Sequence, residues 1–139
     1  MTDLRERLEK LDDLDLLLAL VMGEAEGEPL LGKIAVAQVV KKRFEDSRWP
    51  ITWQEFMLQE AQFTCFSPAY FRPETIKYHR EEIAWRECKF AAYGVYNNYI
   101  RDLTDGANLY WNPDIIKPNW DWSKVTLLDK IGKHQFARE

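Results

Sequence analysis

The stretch Ala35-Val36-Ala37-Gln38-Val39-Val40 is apolar nearly all round and sits in a longer helical pattern traced by Ile34, Ala37, Val40, Lys41 and Phe44. A helix without a polar face cannot lie on a surface; other elements have to surround it. In a chain of 139 residues, that requirement predicts one domain over 1–139, built around this central helix. Hydrophobic residues make up 46% of the chain, enough to cover such a helix, so wholesale disorder is excluded.

The covering elements are legible as patterns. Leu4, Leu8, Leu11, Leu14 or Asp15, and Leu18 recur at helical spacing, predicting a helix that opens the chain and continues through Leu16–Met22. It meets Gly23-Glu24-Ala25-Glu26-Gly27, whose two glycines mark a helix end and a corner. Glu28-Pro29 then restarts the central helix, with proline at its first position. Thr52-Trp53-Gln54-Glu55 reads as a capping box opening a helix to about Glu60. From Gln62 to Arg72 the chain is irregular and aromatic, and Ser67-Pro68 and Arg72-Pro73 exclude a long helix. A helical pattern returns from about Glu74 to Tyr99, Asp105-Gly106 marks a turn, and Ala107 to Trp111 is predicted as a strand or hairpin. Asn112 to Glu139 contains Pro113, Pro118 and Gly132 and reads as loop with brief structure. The fold class expected is mainly α (α+β), a helical domain with a small β element.

Charge narrows the partners. The net charge of −4 argues against nucleic acid, which is held by neutralising phosphates with Lys and Arg. It also argues against electrostatic adhesion to anionic membranes, and no apolar run approaches spanning length, so no stable membrane insertion is expected. The N-terminus alternates leucines with charges and lacks the apolar core of a signal peptide, so synthesis in the cytoplasm without secretion is expected. Two cysteines, Cys65 and Cys88, are too few for a disulfide framework and read as buried thiols. His79 and His134 are the only histidines and show no ligand spacing, so no metal and no cofactor are expected.

Three carboxylates within five residues, Glu24, Glu26 and Glu28, are the chemically outstanding feature. A solvated acidic corner explains them most simply, but helix dipoles separate their roles. Glu26 and Glu28 would lie near the positive start of the central helix, whereas Glu24 would lie at the negative end of the preceding one. An apolar setting, a helix C-terminus and two neighbouring anions all disfavour the charged form of Glu24, so its pKa is expected to rise. A carboxylic acid that keeps its proton near neutrality is what a glycosidase uses to protonate a leaving oxygen.

Gly23-Glu24-Ala25-Glu26-Gly27-Glu28-Pro29, followed by Gly32 to Val40, resembles the start of the spore cortex-lytic enzyme (SleB-type) cell-wall hydrolase family. Gln62 to Phe66, Gly106 to Pro113, Pro118-Asn119-Trp120 and Lys130 to Phe136 match the same family in the same order. The resemblance implies a lysozyme-like helical fold that cleaves peptidoglycan between N-acetylmuramic acid and N-acetylglucosamine as a lytic transglycosylase, with Glu24 as the acid. Peptidoglycan glycan strands are then the partner, bound by a monomer, with Gln62, Phe63, Tyr110, Asn112, Glu28 and His134 as substrate-binding candidates. Gln62 and Asn112 offer donors and acceptors suited to acetamido groups. Tyr110 and Trp111 would alternate faces on a strand, so one of the two meets substrate. By residue type, Trp111 and Phe63 read as core, and His134 as a brace for the hairpin.

The sequence departs from the family in three places. Glu26 stands where the family has a basic residue, Ser67 to Arg86 matches no family block, and no secretion signal or wall-binding module is seen. The last point suits a phage endolysin or virion-associated lysin. Muramidase-type hydrolysis would need a second carboxylate about 5 Å from the first for retention, or about 6.5–9.5 Å away for inversion. Asp102, Asp105, Asp114 and Asp121 are candidates, although turns and caps explain each equally well. The rival readings are a cysteine amidase or peptidase using Cys65 and His134, and a non-enzymatic phage structural or binding protein that keeps the fold.

Overall fold

Asp12 decides where the first described helix begins. Its side chain accepts the Asp15 amide at 2.8 Å, which caps α1, Asp13–Ala25. Asp13 and Asp15 then lie in the first turn, where the helix dipole favours anions. The computed structural model describes residues 9–46, 51–60 and 82–139, together with Glu6. Within it the expected continuous opening helix is broken: Lys10 to Asp12 are not helical. Leucine spacing cannot register a cap, and a short carboxylate ahead of Asp15 competes for the amide that an uninterrupted helix would need. At its other end α1 runs through Gly23, placing Glu24 inside the last turn.

Leu16 to Val21 are all buried, so α1 is covered on every side. Pro29, with φ −62° and ψ 161°, is the N-cap of α2, Leu30–Glu45, one position earlier than expected. The central role expected for α2 is met: it packs on α1, on α4 (Ile83–Tyr96) and on two strands of the sheet. The Thr52 hydroxyl accepts the Glu55 amide at 3.1 Å, opening α3, Trp53–Glu60. Trp53 stacks on Phe44 with ring centroids 4.1 Å apart, which ties α3 to the end of α2. The helix expected over Glu74–Tyr99 is described from Ile83, and it ends at Asn97–Asn98, where Asn98 takes φ 60°. Lys41 donates to the carbonyls of Val95 and Tyr96 at 3.1 and 3.3 Å, satisfying the last turn of α4 with a cation.

Beyond Asp105-Gly106 the chain forms an antiparallel sheet in the order β1-β3-β2, with β1 Leu109–Trp111, β2 Thr126–Ile131 and β3 His134–Arg138. A single-turn 3-10 helix, Trp122–Lys124, precedes β2. The expectation of loop with brief structure after Asn112 is therefore corrected. Thr-Leu-Leu-Asp-Lys-Ile forms an edge strand with most of its residues exposed, so it carries no alternation of apolar and polar residues to reveal it. A two-residue turn, Gly132-Lys133, joins β2 to β3, with Gly132 at φ 59°. Among the described residues, no helix is long and apolar enough to cross a membrane.

Candidate active site

Glu24 is half-buried in the last turn of α1, a turn that holds no basic residue. The chain then bends through Glu26 and Gly27, both exposed, and the Glu28 amide closes the corner on the Ala25 carbonyl at 3.0 Å. Glu28 points back inward and is only 9% exposed. Both of its carboxylate oxygens accept the Lys133 amide, at 3.0 and 3.1 Å. The tip of the β2–β3 hairpin, 105 residues away in sequence, is thereby fastened to the corner.

His134 follows Lys133 and is 7% exposed. Its Nδ1 comes within 3.1 Å of Glu28 Oε1, but without the alignment of a hydrogen bond. The contact is electrostatic. Burial pushes the His134 imidazole below its usual pKa, and the Glu28 carboxylate opposes that shift only in part. Tyr110 and His134 meet in T-shaped geometry with centroids 5.2 Å apart, and Phe136 completes this inner face of the sheet. The structure thus brings together Glu28, His134 and Tyr110, and joins them to the corner that follows Glu24.

Asn112 and Trp111 are engaged in other contacts. Asn112 uses its side-chain oxygen to accept the Asp114 amide at 3.0 Å, holding a turn. Trp111 is not core: it points to the outer face, half-exposed, against Trp120 and Trp122 at 5.3 and 5.2 Å. On that face Trp111 packs on Trp122 of the 3-10 helix and on Trp120 of the loop before it. Gln62, Phe63, Cys65 and His79 lie outside the described residues, as does the stretch from Ser67 to residue 81.

Three of the four aspartates considered as second carboxylates are already committed. Asp102 accepts from the Thr104 amide and hydroxyl and from the Gly106 amide. Burial pushes its carboxyl up, but these bonds and Lys42 outweigh it and hold the pKa below the ordinary value. Asp105 pairs with Arg138 at 3.1 Å, and Asp121 caps the 3-10 helix. Cys88 is fully buried, and burial pushes its thiol up to about 12, leaving it protonated and inert.

Lys33 is the residue that sequence reasoning missed. Only 2% exposed, its ammonium donates to the Glu28 carbonyl at 2.5 Å and to Glu87 of α4 at 3.0 Å. A lysine between Gly32 and Ile34, just ahead of the all-apolar run from Ala35 to Val40, was the available signal. Among the described residues, no group of three or more His, Cys, Asp or Glu could hold a metal ion. A cleft of about 270 Å³ between the C-terminal half of α2 and residues 95–107 includes none of Glu24, Glu28, Tyr110 or His134.

The profile of the family described as Cell Wall Hydrolase matches residues 27–137. A spore cortex-lytic enzyme of Halalkalibacterium halodurans is 32% identical over 128 residues, 91% of this chain and 34% of that protein. One of Bacillus cereus is 30% identical over 129 residues, 91% of this chain and 44% of its own length. The chain thus spans less than half the length of these curated relatives. Among solved structures, the catalytic domain of the germination-specific lytic transglycosylase SleB from Bacillus anthracis superposes with a TM-score of 0.59 at 29% identity, covering 91% of this chain and 93% of that domain. The catalytic domain of the Bacillus cereus SleB protein gives 0.55 at 30% identity, covering 91% and 89%.

Proposed function

The chain belongs to the cell wall hydrolase family, and from that premise we propose that it cleaves the glycan strand of peptidoglycan as a lytic transglycosylase with Glu24 as its single acid and base. The observation that carries this reading is the place of Glu24: half-buried in the last turn of α1, beside the corner that the hairpin tip is fastened to. The similarity to a domain named as a lytic transglycosylase, over nearly its whole length, supports the same reaction class.

Glu24 gives its proton to the bridging oxygen as the bond from C1 of N-acetylmuramic acid breaks. The C6 hydroxyl of the same sugar attacks C1 and returns a proton to Glu24, leaving a 1,6-anhydro end and a free 4-hydroxyl on N-acetylglucosamine. Hydrolysis would need a second carboxylate. The engagement of Asp102, Asp105 and Asp121 in turns, an ion pair and a cap favours the one-carboxylate route. Tyr110, beside His134 on the inner face of β1, is the described aromatic best placed to meet a sugar, with Gln62, Phe63 and Asn112 as further groove candidates. A cysteine amidase would have to rely on Cys65, since Cys88 is buried and protonated.

The test is digestion of purified peptidoglycan followed by mass spectrometry of the products. Anhydro-muramic ends are expected from the wild type, and at least a hundredfold less product from Glu24→Gln, because removal of a general acid costs about 10²–10⁴ in rate. Reducing ends would mean hydrolysis, and freed amino termini would refute glycan cleavage altogether.

A further inference from the structure

We propose that Glu28 is a positioning residue for glycan cleavage: its buried carboxylate latches the β2–β3 turn onto the corner that carries Glu24. The proposal rests on Glu24 being the acid. Glu28 has no face left for a sugar. Both oxygens receive the Lys133 amide, His134 Nδ1 stands 3.1 Å from Oε1, and the side chain is almost wholly buried.

The turn is shaped to receive it. Gly132 adopts φ 59°, and a methyl group on its α-carbon would fall on Glu28 Oε2, so both conformation and space demand glycine there. From the opposite side, Lys33 holds the Glu28 carbonyl and carries the connection to Glu87 on α4. Among the described residues, these contacts and the bond from the Glu28 amide to the Ala25 carbonyl define the corner. Glu26 and Gly27 are exposed, and nothing lies within 4 Å of the Gly27 β-position.

Two halves of the proposed groove meet at this latch. Glu24 belongs to the helical half, and Tyr110 belongs to the sheet, on the strand paired with β3. Glu28 fixes one half against the other through a part-buried bond between residues distant in sequence. Displacing an acid by about 1 Å from its target can cost roughly 100-fold in rate, so loosening the latch should act on turnover more than on substrate capture.

The test compares wild type, Glu28→Ala, Glu28→Gln and Gly132→Ala on soluble uncrosslinked glycan strands. Amide exchange at Lys133 and circular dichroism are recorded on the same samples. Glu28→Ala is expected to stay folded, lose protection at Lys133, and fall about 10- to 100-fold in kcat with KM within about twofold. Glu28→Gln keeps an oxygen for the Lys133 amide and is expected within about threefold of wild-type kcat. Should Glu28→Ala not fold, Gly132→Ala breaks the same contact from the other side and is judged by the same kcat criterion.

Wild-type kcat in a folded variant that has lost Lys133 protection overturns the latch, as does a rise in KM alone, which would mean that Glu28 touches substrate. Loss of kcat in Glu28→Gln equal to that in Glu28→Ala also overturns it, because charge rather than the latch would then matter. A wild type whose activity survives Glu24→Gln refutes the acid assignment, and the latch falls with it. An active wild type, a dead Glu24→Gln and an undiminished Glu28→Ala refute the latch alone.

Discussion

Replacing Glu87 by glutamine should harm this protein far more than replacing its ion-pair partner Lys33 by methionine. The two side chains meet at 3.0 Å, with Lys33 3% exposed and Glu87 35% exposed at the side chain. At that separation and an effective dielectric of about 20, the gross attraction is roughly 5 kcal/mol. Glu87→Gln leaves a fully desolvated ammonium with neutral oxygens for partners. Breaking a fully buried pair in this way costs about 3–5 kcal/mol; the partial exposure of Glu87 and the remaining amide oxygen set the lower end, about 3 kcal/mol.

Lys33→Met is different in kind. It removes the charge whose burial was costly and keeps the volume of the stem, while Glu87 can turn to water. The Glu28 carbonyl is orphaned at about 1–3 kcal/mol, offset by the several kcal/mol of desolvation no longer incurred. Lys33→Met should therefore stay within about 1 kcal/mol of wild type. Urea unfolding followed by circular dichroism measures both, and in a domain of this size about 3 kcal/mol corresponds to roughly 10 °C in Tm. Equal stability of Glu87→Gln and wild type, or a Lys33→Met protein less stable than Glu87→Gln, would refute this account of the pair.

His134 and Cys88 give two further tests. Because burial depresses the His134 pKa below its ordinary 6.5, the unfolded chain takes up the proton first. Its contribution to stability is present above that value and is lost as pH falls below it, by up to about 1.4 kcal/mol per pH unit. Urea midpoints between pH 7.5 and 5.5 should drop more steeply for wild type than for His134→Gln, and identical slopes would contradict the shift. In a Cys65→Ser background, Cys88 should react with a thiol reagent at pH 8 only as fast as the protein opens, since its pKa is raised to about 12 by burial. Labelling at the rate of a free thiol would place Cys88 outside the core.

Much of the frame was readable because it depends on local pattern. The all-apolar run through Ala35–Val40 required a central helix, and α2 is enclosed by α1, α4 and the sheet. Thr52 three residues ahead of Glu55 announced a cap that forms, since capping is decided within one turn of chain. Boundaries were less secure for the same reason: Asp12 breaks the leucine periodicity with one side-chain bond that hydrophobic spacing does not encode. β2 escaped notice because an exposed edge strand owes its existence to its neighbour β3, not to its own alternation.

Sequence alone determined that three glutamates crowd a bend between two buried helices, because glycine, proline and helical period act over a few residues. It could not separate the fates of those glutamates. Glu26 is exposed, Glu24 is half-buried, and Glu28 is sealed beneath a hairpin tip. Only the tertiary structure decided that, because the groups that desolvate and bond Glu28 come from Lys133 and His134, a hundred residues further along the chain. Burial and charge at a site are properties of what packs over it, and no local pattern specifies which distant segment will arrive.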